Sequence, residues 1–168
     1  GRARQVGHGA LGIARRSPRS RFAGPEESPG LLLWRVTLSW QRQIRAALAP
    51  HELTHVQFVL LASLWWLADQ EEPPTQARLA QHAGTDPMMT SQVTRKLEGR
   101  GLLERASDPA DGRARRLRPT PAGLALVGRA LTDVEAADEA FFAALGDRRG
   151  GFADALAQLA PRASGDTA

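Results

Sequence analysis

Apolar residues recur at helical spacing over most of this chain, and at the shorter spacing of strands in one place only. Residues 1–28 show no recurrence. They are rich in Arg, Gly, Ser and Pro, a composition that cannot bury enough apolar surface to offset the entropy of ordering, and they are expected to be disordered. From Pro29 the pattern changes. Over residues 30–48, Leu33, Val36, Trp40, Ile44 and Ala47 fall on one helical stripe, and Leu31, Trp34 and Leu38 on a second. A helix with two apolar faces is buried on both sides or packs against a second subunit. Residues 54–68 predict another apolar helix with Thr54 as its N-cap. The stretch DQEEPP (69–74) ends it. Thr75 caps a short helix through Ala83, with Leu79, Ala80 and Ala83 turned inward, and Gly84 breaks it. Thr85 or Asp86 then caps a helix that runs to about Arg100, with Pro87 in its first turn and Gly101 as its stop. Two strands follow, 102–106 and 114–118, joined by SDPADGR, in which Asp111-Gly112 signals a hairpin turn. Thr120-Pro121 opens a long helix with Leu124, Val127, Leu131, Val134, Phe141 and Leu145 on its apolar face. A last helix near 150–160 carries Phe152, Leu156 and Leu159, and residues 161–168 should fray.

The expected fold class is mainly α. A short helix, a Gly break, a capped second helix and a two-stranded hairpin have the layout of a winged helix-turn-helix, a DNA reader. At about 100° per residue, Met89, Val93 and Leu97 of the second helix point into the core, with Thr90 at the edge of that face. Met88, Ser91, Arg95 and Glu98 point outward, flanked by Gln92 and Thr94. Such a face suits a major groove. Ser and Gln hydrogen-bond base edges, Arg takes a guanine bidentately, and Met88 can pack on a thymine methyl.

Charge strengthens this reading. The net charge is +4, carried by 21 Arg and the single Lys96, and RARRLR (113–118) concentrates four Arg in six positions while DVEAADE (133–139) is acidic. A basic segment beside an acidic body points to a polyanion contact at one place. Arg113 sits just past the hairpin turn, where a side chain can enter a narrow minor groove. Asp111 can hold its guanidinium by a charge-assisted hydrogen bond. Strand alternation puts Arg116 and Arg118 on one face and Arg115 with Leu117 on the other. Some of these contact phosphates, while others pair with acids such as Glu104.

Three stretches carry a resemblance: LTHVQFVLLASL (53–64), QARLAQHAGTDPMMTSQVTRKLEGRGLLER (76–105) and DPADGRARRLRPTPAG (108–123). Together, over about residues 30–160, they resemble the MarR family of bacterial transcription regulators. The match lies in the LTxxQF helix start, the LExxGLLxR end of the helix-turn-helix, the DxR wing tip and the TPAG start of the long helix. The resemblance implies a homodimer whose terminal helices (29–53 and 121–160) intertwine and whose winged domains (54–120) each read half of a pseudo-palindromic operator. It also implies a repressor released by a small aromatic or phenolic effector. The implied DNA-contacting set is Gln76, Pro87, Met88, Thr90, Ser91, Gln92, Thr94, Arg95, Asp111, Arg113, Arg115 and Arg116. Pro119 departs from the family pattern and should end the wing strand early. Physics points the same way, since the terminal helices carry more apolar surface than one winged domain can cover. A twofold dimer buries it and sets two reading heads one DNA turn apart, ~34 Å.

The stretch His51-Glu52-Leu53-Thr54-His55 offers a competing reading, because it matches the HExxH signature of zinc peptidases. On one helix, two His four apart grip a Zn²⁺ and the Glu activates water. Pro50 and the Thr54 cap place this motif across a loop and a helix start, which separates the two His, and no third ligand stands at a familiar spacing. No metal and no cofactor are therefore expected, and no enzyme activity. His51 and His55, with Trp34 and Trp65 or Trp66, are the expected lining of an effector crevice between the dimer helices and the winged domain. A winged helix used only for protein–protein contact is the third reading. It would not need the Arg113–Arg118 cluster.

Other motifs fall away. Gly7-His-Gly9-Ala-Leu-Gly12 is a formal GxGxxG, but no strand precedes it. The acid-free first 23 residues suit a transit peptide or an over-extended reading frame equally. With no Cys, thiol-based sensing is excluded. The longest apolar run, 58–68, is shorter than the ~20 residues of a spanning helix, so a soluble, cytoplasmic, nucleoid-associated protein is expected, with no membrane partner.

Overall fold

The structure, a computed structural model, describes residues 20–70, 72–108 and 115–160. Asp111, Arg113 and the rest of the hairpin tip lie outside the described residues, as do the GxGxxG stretch and the 161–168 tail. The chain divides into two units, residues 1–35 and 36–168. Helix α1, Pro29–Leu48, runs from one into the other. In the first unit a 3₁₀ turn, Pro25–Glu27, precedes α1, and the Ser28 hydroxyl accepts the Leu31 N–H at 3.4 Å. Leu32, Leu33 and Trp34 are exposed.

The second unit contains the winged helix. A 3₁₀ turn, Ala49–His51, leads to α2, His55–Gln70. Helix α3, Gln76–Ala83, and helix α4, Pro87–Gly99, follow. Strands β1, Leu103–Ser107, and β2, Arg115–Pro119, pair antiparallel. Helix α5, Pro121–Phe142, a 3₁₀ segment Ala143–Arg148, and α6, Arg149–Leu159, complete it. The core runs from Ile44 and Leu48 through Phe58, Leu61, Leu64, Leu79, Leu97, Leu103 and Leu117 to Val127 and Val134.

The starts of α2, α3, α4 and α5 each follow from a side chain that satisfies a free helix end. Thr54 and Gln57 form a reciprocal capping box. The Gln57 N–H donates to the Thr54 hydroxyl at 3.3 Å, and the Thr54 N–H donates to Gln57 Oε1 at 3.0 Å. Thr75 accepts from the Arg78 N–H, Asp86 from the Met89 N–H, and Thr120 from the Gly123 N–H. Gly84 and Gly101 take positive φ, 66° and 68°, where the chain reverses after α3 and α4. Gly123 is required for a different reason: a Cβ there would stand 1.9 Å from the Leu102 carbonyl oxygen. That oxygen accepts the Thr120 N–H at 3.1 Å, so the first turn of α5 is seated directly on the start of β1.

Three sequence expectations need correction. Pro119 does not cut the wing strand short: it is the last residue of β2, in register with Leu103. Leu124 is exposed, because the buried face of α5 is Leu126, Val127, Ala130 and Val134. Met89 is 42% exposed rather than inward, and Thr94 is fully buried rather than outward. The inward stripe of α4 is Thr90, Val93, Thr94 and Leu97, at positions i, i+3, i+4 and i+7 of one helical face.

Candidate nucleic-acid interface

The inward threonines of α4 can be buried because their hydroxyls are satisfied. Thr90 Oγ1 donates to the Asp86 carbonyl at 2.8 Å and lies 2.8 Å from the Thr85 hydroxyl. Thr94 Oγ1 donates to the Thr90 carbonyl at 2.8 Å. It also accepts from Arg105 Nη2 at 2.7 Å. Neither hydroxyl reaches the surface, so Thr90 and Thr94 do not present groups to a duplex, contrary to the sequence expectation.

Arg105, on β1, organises the face that remains. Its Nη1 donates to Gln76 Oε1 at 3.1 Å. Its Nε lies 3.0 Å from Glu98 Oε2, an ion-pair contact with poor direction for a hydrogen bond. One half-buried guanidinium therefore ties the start of α3, the middle of α4 and the wing together. With Gln76 Oε1 held by Arg105, the Gln76 amide is left to offer its NH₂ outward. Sequence reasoning missed Arg105. It stands on the hairpin strand opposite Leu117, where an arginine reads as one more surface charge.

The concave surface between these elements is lined by Thr75, Gln76, Ala77, Ser91, Arg95, Arg105 and Arg115. Four of the expected contacts, Gln76, Ser91, Arg95 and Arg115, thus share one recess. Pro87, Met88 and Gln92 are exposed on α4, and Met88 is 72% exposed. Arg115 is exposed, with Nη1 donating to the Ser107 hydroxyl.

Arg116 is engaged elsewhere. Its Nε meets the buried Asp108 carboxylate at 2.8 Å, Nη1 donates to the Pro73 carbonyl at 2.9 Å, and Nη2 lies 3.1 Å from Glu72. Alongside, the Leu117 N–H donates to the Pro74 carbonyl at 2.9 Å. All three guanidinium nitrogens of Arg116 have an acceptor. These contacts fasten the chain before α3 to the base of the wing.

The HELTH stretch does not form a metal site. His51 ends a 3₁₀ turn and His55 begins α2. Between them Glu52 has left-handed φ, 52°, and its carbonyl accepts Arg100 Nη1 at 2.8 Å. His51 Nε2 donates to Asp133 Oδ2 at 2.7 Å. His55 packs edge-on against Trp40, ring centroids 5.1 Å apart, and the Trp40 indole N–H donates to Asp138 at 2.7 Å. Burial lowers the His55 pKa from its ordinary 6.5, Arg45 lowers it further, and Asp138 opposes both. Among the described residues no cluster of three or more His, Asp or Glu side chains is placed to hold a metal ion.

His51 and His55 adjoin α5, but Trp65 lies ten positions beyond His55 on α2, about 15 Å by helical rise. Trp65 packs edge-on against Trp66, and Trp34 is 63% exposed.

Comparison with known proteins completes the picture. The sequence profile of the MarR family matches residues 53–114. The chain is 49% identical over 125 residues to the HTH-type transcriptional regulator YdcH of Bacillus subtilis, covering 74% of this chain and 85% of that protein. It is 37% identical over 116 residues to the HTH-type transcriptional repressor Rv2887 of Mycobacterium tuberculosis, covering 69% and 81%. Among solved structures, the repressor CouR of Rhodococcus jostii, bound to a 23-mer DNA duplex, superposes with a TM-score of 0.75 at 28% identity, covering 86% of this chain and all of that one. The helix-turn-helix with its Arg105 tie, the wing and these relatives agree, and the chain belongs to the MarR family of transcriptional regulators.

Proposed function

We propose that two copies of this chain bind one pseudo-palindromic DNA operator and repress transcription until a small molecule releases them. Each α4 enters the major groove. Ser91, Gln92 and Arg95 face base edges there, and Met88 lies against them. Gln76 and Arg115 meet phosphates on either side, and Arg113 at the wing tip reaches the minor groove with Asp111 as its partner. The observation that carries this reading is the recess in which α3, α4 and the wing bring Gln76, Ser91, Arg95 and Arg115 together.

The dimer rests on apolar surface that one chain leaves uncovered. Leu33, Trp34 and Val36 of α1, Leu124 of α5, and Leu156 and Leu159 of α6 are all exposed. Helices 29–53 and 121–160 form the clasp, and 54–120 the reading head. Effector release is supported by relatives. CouR has been solved with p-coumaroyl-CoA, and PcaV of Streptomyces coelicolor with its natural ligand. In this chain the Trp40–His55–Asp138 cluster, with His51 on Asp133, joins α1, α2 and α5, so a ligand there can change the spacing of the heads. Among the described residues no helix is long and apolar enough to cross a membrane, and the protein acts on the bacterial nucleoid in the cytoplasm.

The test is selection of bound duplexes from random DNA by the full chain. Enrichment of a two-half-site sequence is expected, with affinity falling steeply as salt rises. Arg113→Ala should weaken binding while leaving the dimer intact. A chain that enriches no sequence and ignores salt is a protein–protein module instead.

A further inference from the structure

We propose that Met88 and Met89 form an oxidation site on α4, and that conversion of their thioethers to sulfoxides releases DNA. The inference rests on the DNA-binding reading above and adds a control to the same surface. The sequence holds two methionines and no cysteine, so oxidation at sulfur in this chain can occur only at these two adjacent positions. Both side chains are accessible: Met88 is 72% exposed and Met89 42%. They stand in the first turn of α4, whose direction is fixed by Pro87 and by the Asp86 carboxylate accepting the Met89 N–H at 2.9 Å. Met88 shares a helical face with Ser91 and Arg95, three and seven positions on.

The chemistry balances with a hypohalous acid as oxidant. The sulfur donates an electron pair to the oxygen, so an S–O bond forms and the O–Cl bond of hypochlorous acid breaks. Chloride leaves and the hydroxyl proton goes to solvent. Sulfur loses two electrons and chlorine gains two. The product is polar and carries a strong acceptor oxygen in place of an apolar, polarizable tip. At a groove face it removes an apolar contact with a base and brings partial negative charge toward the phosphates. Because Met88 is 72% exposed, Met89 is 42% exposed and neither belongs to the buried core, the change is expected at the surface with the fold retained.

The experiment treats full-length protein with stoichiometric hypochlorous acid and confirms sulfoxide at both positions by peptide mass mapping. Affinity for the selected duplex is then measured before and after, together with thermal melting. Wild type should lose about tenfold in affinity, the scale of one lost base contact, with an unchanged melting temperature. Incubation with methionine sulfoxide reductases of both stereospecificities should restore it. Met88→Leu plus Met89→Leu sets its own baseline affinity; what is read is its ratio of oxidised to reduced binding, expected near one. Unchanged wild-type affinity with both sulfoxides in place overturns the proposal. An equal loss in the double variant does so too, because other side chains are then responsible, and a drop in melting temperature that accounts for the loss does likewise. Failure of reduced wild type to bind any duplex has a different signature: it removes the DNA-binding reading and this inference with it.

Discussion

The winged-helix segment and the terminal helices differ in what they leave exposed: the former shows Trp65, Trp66, Met88 and Met89 beside a network of paired polar groups, the latter chiefly apolar side chains. In the head, most polar side chains at the junctions have a partner within the chain. Thr90 and Thr94 are buried with satisfied hydroxyls, Arg105 spans three elements, and Arg116 fills all its nitrogens. The terminal helices leave Leu33, Trp34, Val36, Leu124, Leu156 and Leu159 in solvent. On the function proposed above, one chain completes the part that meets DNA and leaves the clasp to be covered by a second copy. Assembly of the head is a folding problem, whereas assembly of the clasp is a binding problem. Substitutions in the two regions should fail differently.

The largest effect is expected at the clasp. Leu33→Glu combined with Val36→Glu places two carboxylates where an apolar interface is proposed, a cost of about 4 kcal/mol or more on association. Sedimentation should show single chains that retain a cooperative melt. Loss of folding instead of loss of association would erase the distinction between the regions. Next comes the seam between them. Gly123→Ala drives a methyl into the Leu102 carbonyl oxygen and should cost about 3 kcal/mol in denaturant unfolding. Gly99→Ala, which meets nothing within 4 Å, should stay within about 1 kcal/mol of wild type.

Within the head, Arg105→Met strips the tie from Gln76 and Thr94 and should cost about 2 kcal/mol of stability. DNA affinity should fall with it, and Arg105→Lys should not restore both, since an ammonium lacks the fork. Arg95 has no hydrogen-bond or ion-pair partner among the described residues. Arg95→Ala should leave melting unchanged and weaken operator binding by about 1–3 kcal/mol, chiefly at one base position.

The smallest effect is a pH dependence. The folded His55 pKa lies below its unfolded 6.5, so the unfolded chain binds the proton more readily. The neutral-His contribution is fully present above pH 6.5 and is lost as pH falls through the unfolded value toward the folded one. Melting temperature should decline with acidification across that window, and His55→Gln should flatten this part of the decline.

Most of the fold was legible because caps and breakers are local. Thr54, Thr75, Asp86 and Thr120 mark helix starts by chemistry that needs no tertiary context, and Gly84 and Gly101 mark the stops. The orientation of α4 was legible only in part. Val93 and Leu97 are buried as their apolar letters predict, but Met89 is not, and Thr90 and Thr94 complete the buried stripe in its place. A threonine can be core only when something satisfies its hydroxyl, and for Thr94 that partner is an arginine on another element. That tie hid the part played by Arg105, and a separate set of partners, Asp108, Pro73 and Glu72, engages Arg116. The HELTH stretch shows the converse. Its helix boundary, read from Pro50 and the Thr54 cap, was enough to separate the two His: His51 meets Asp133 of α5, whereas His55 packs against Trp40 of α1.

The most direct test counts chains on DNA. Native mass spectrometry of the full-length protein with its selected duplex should find two chains per duplex, and the Leu33→Glu plus Val36→Glu protein should show neither the dimer nor the complex. One wild-type chain bound per duplex with full affinity would contradict the account, because the head would then work without the clasp.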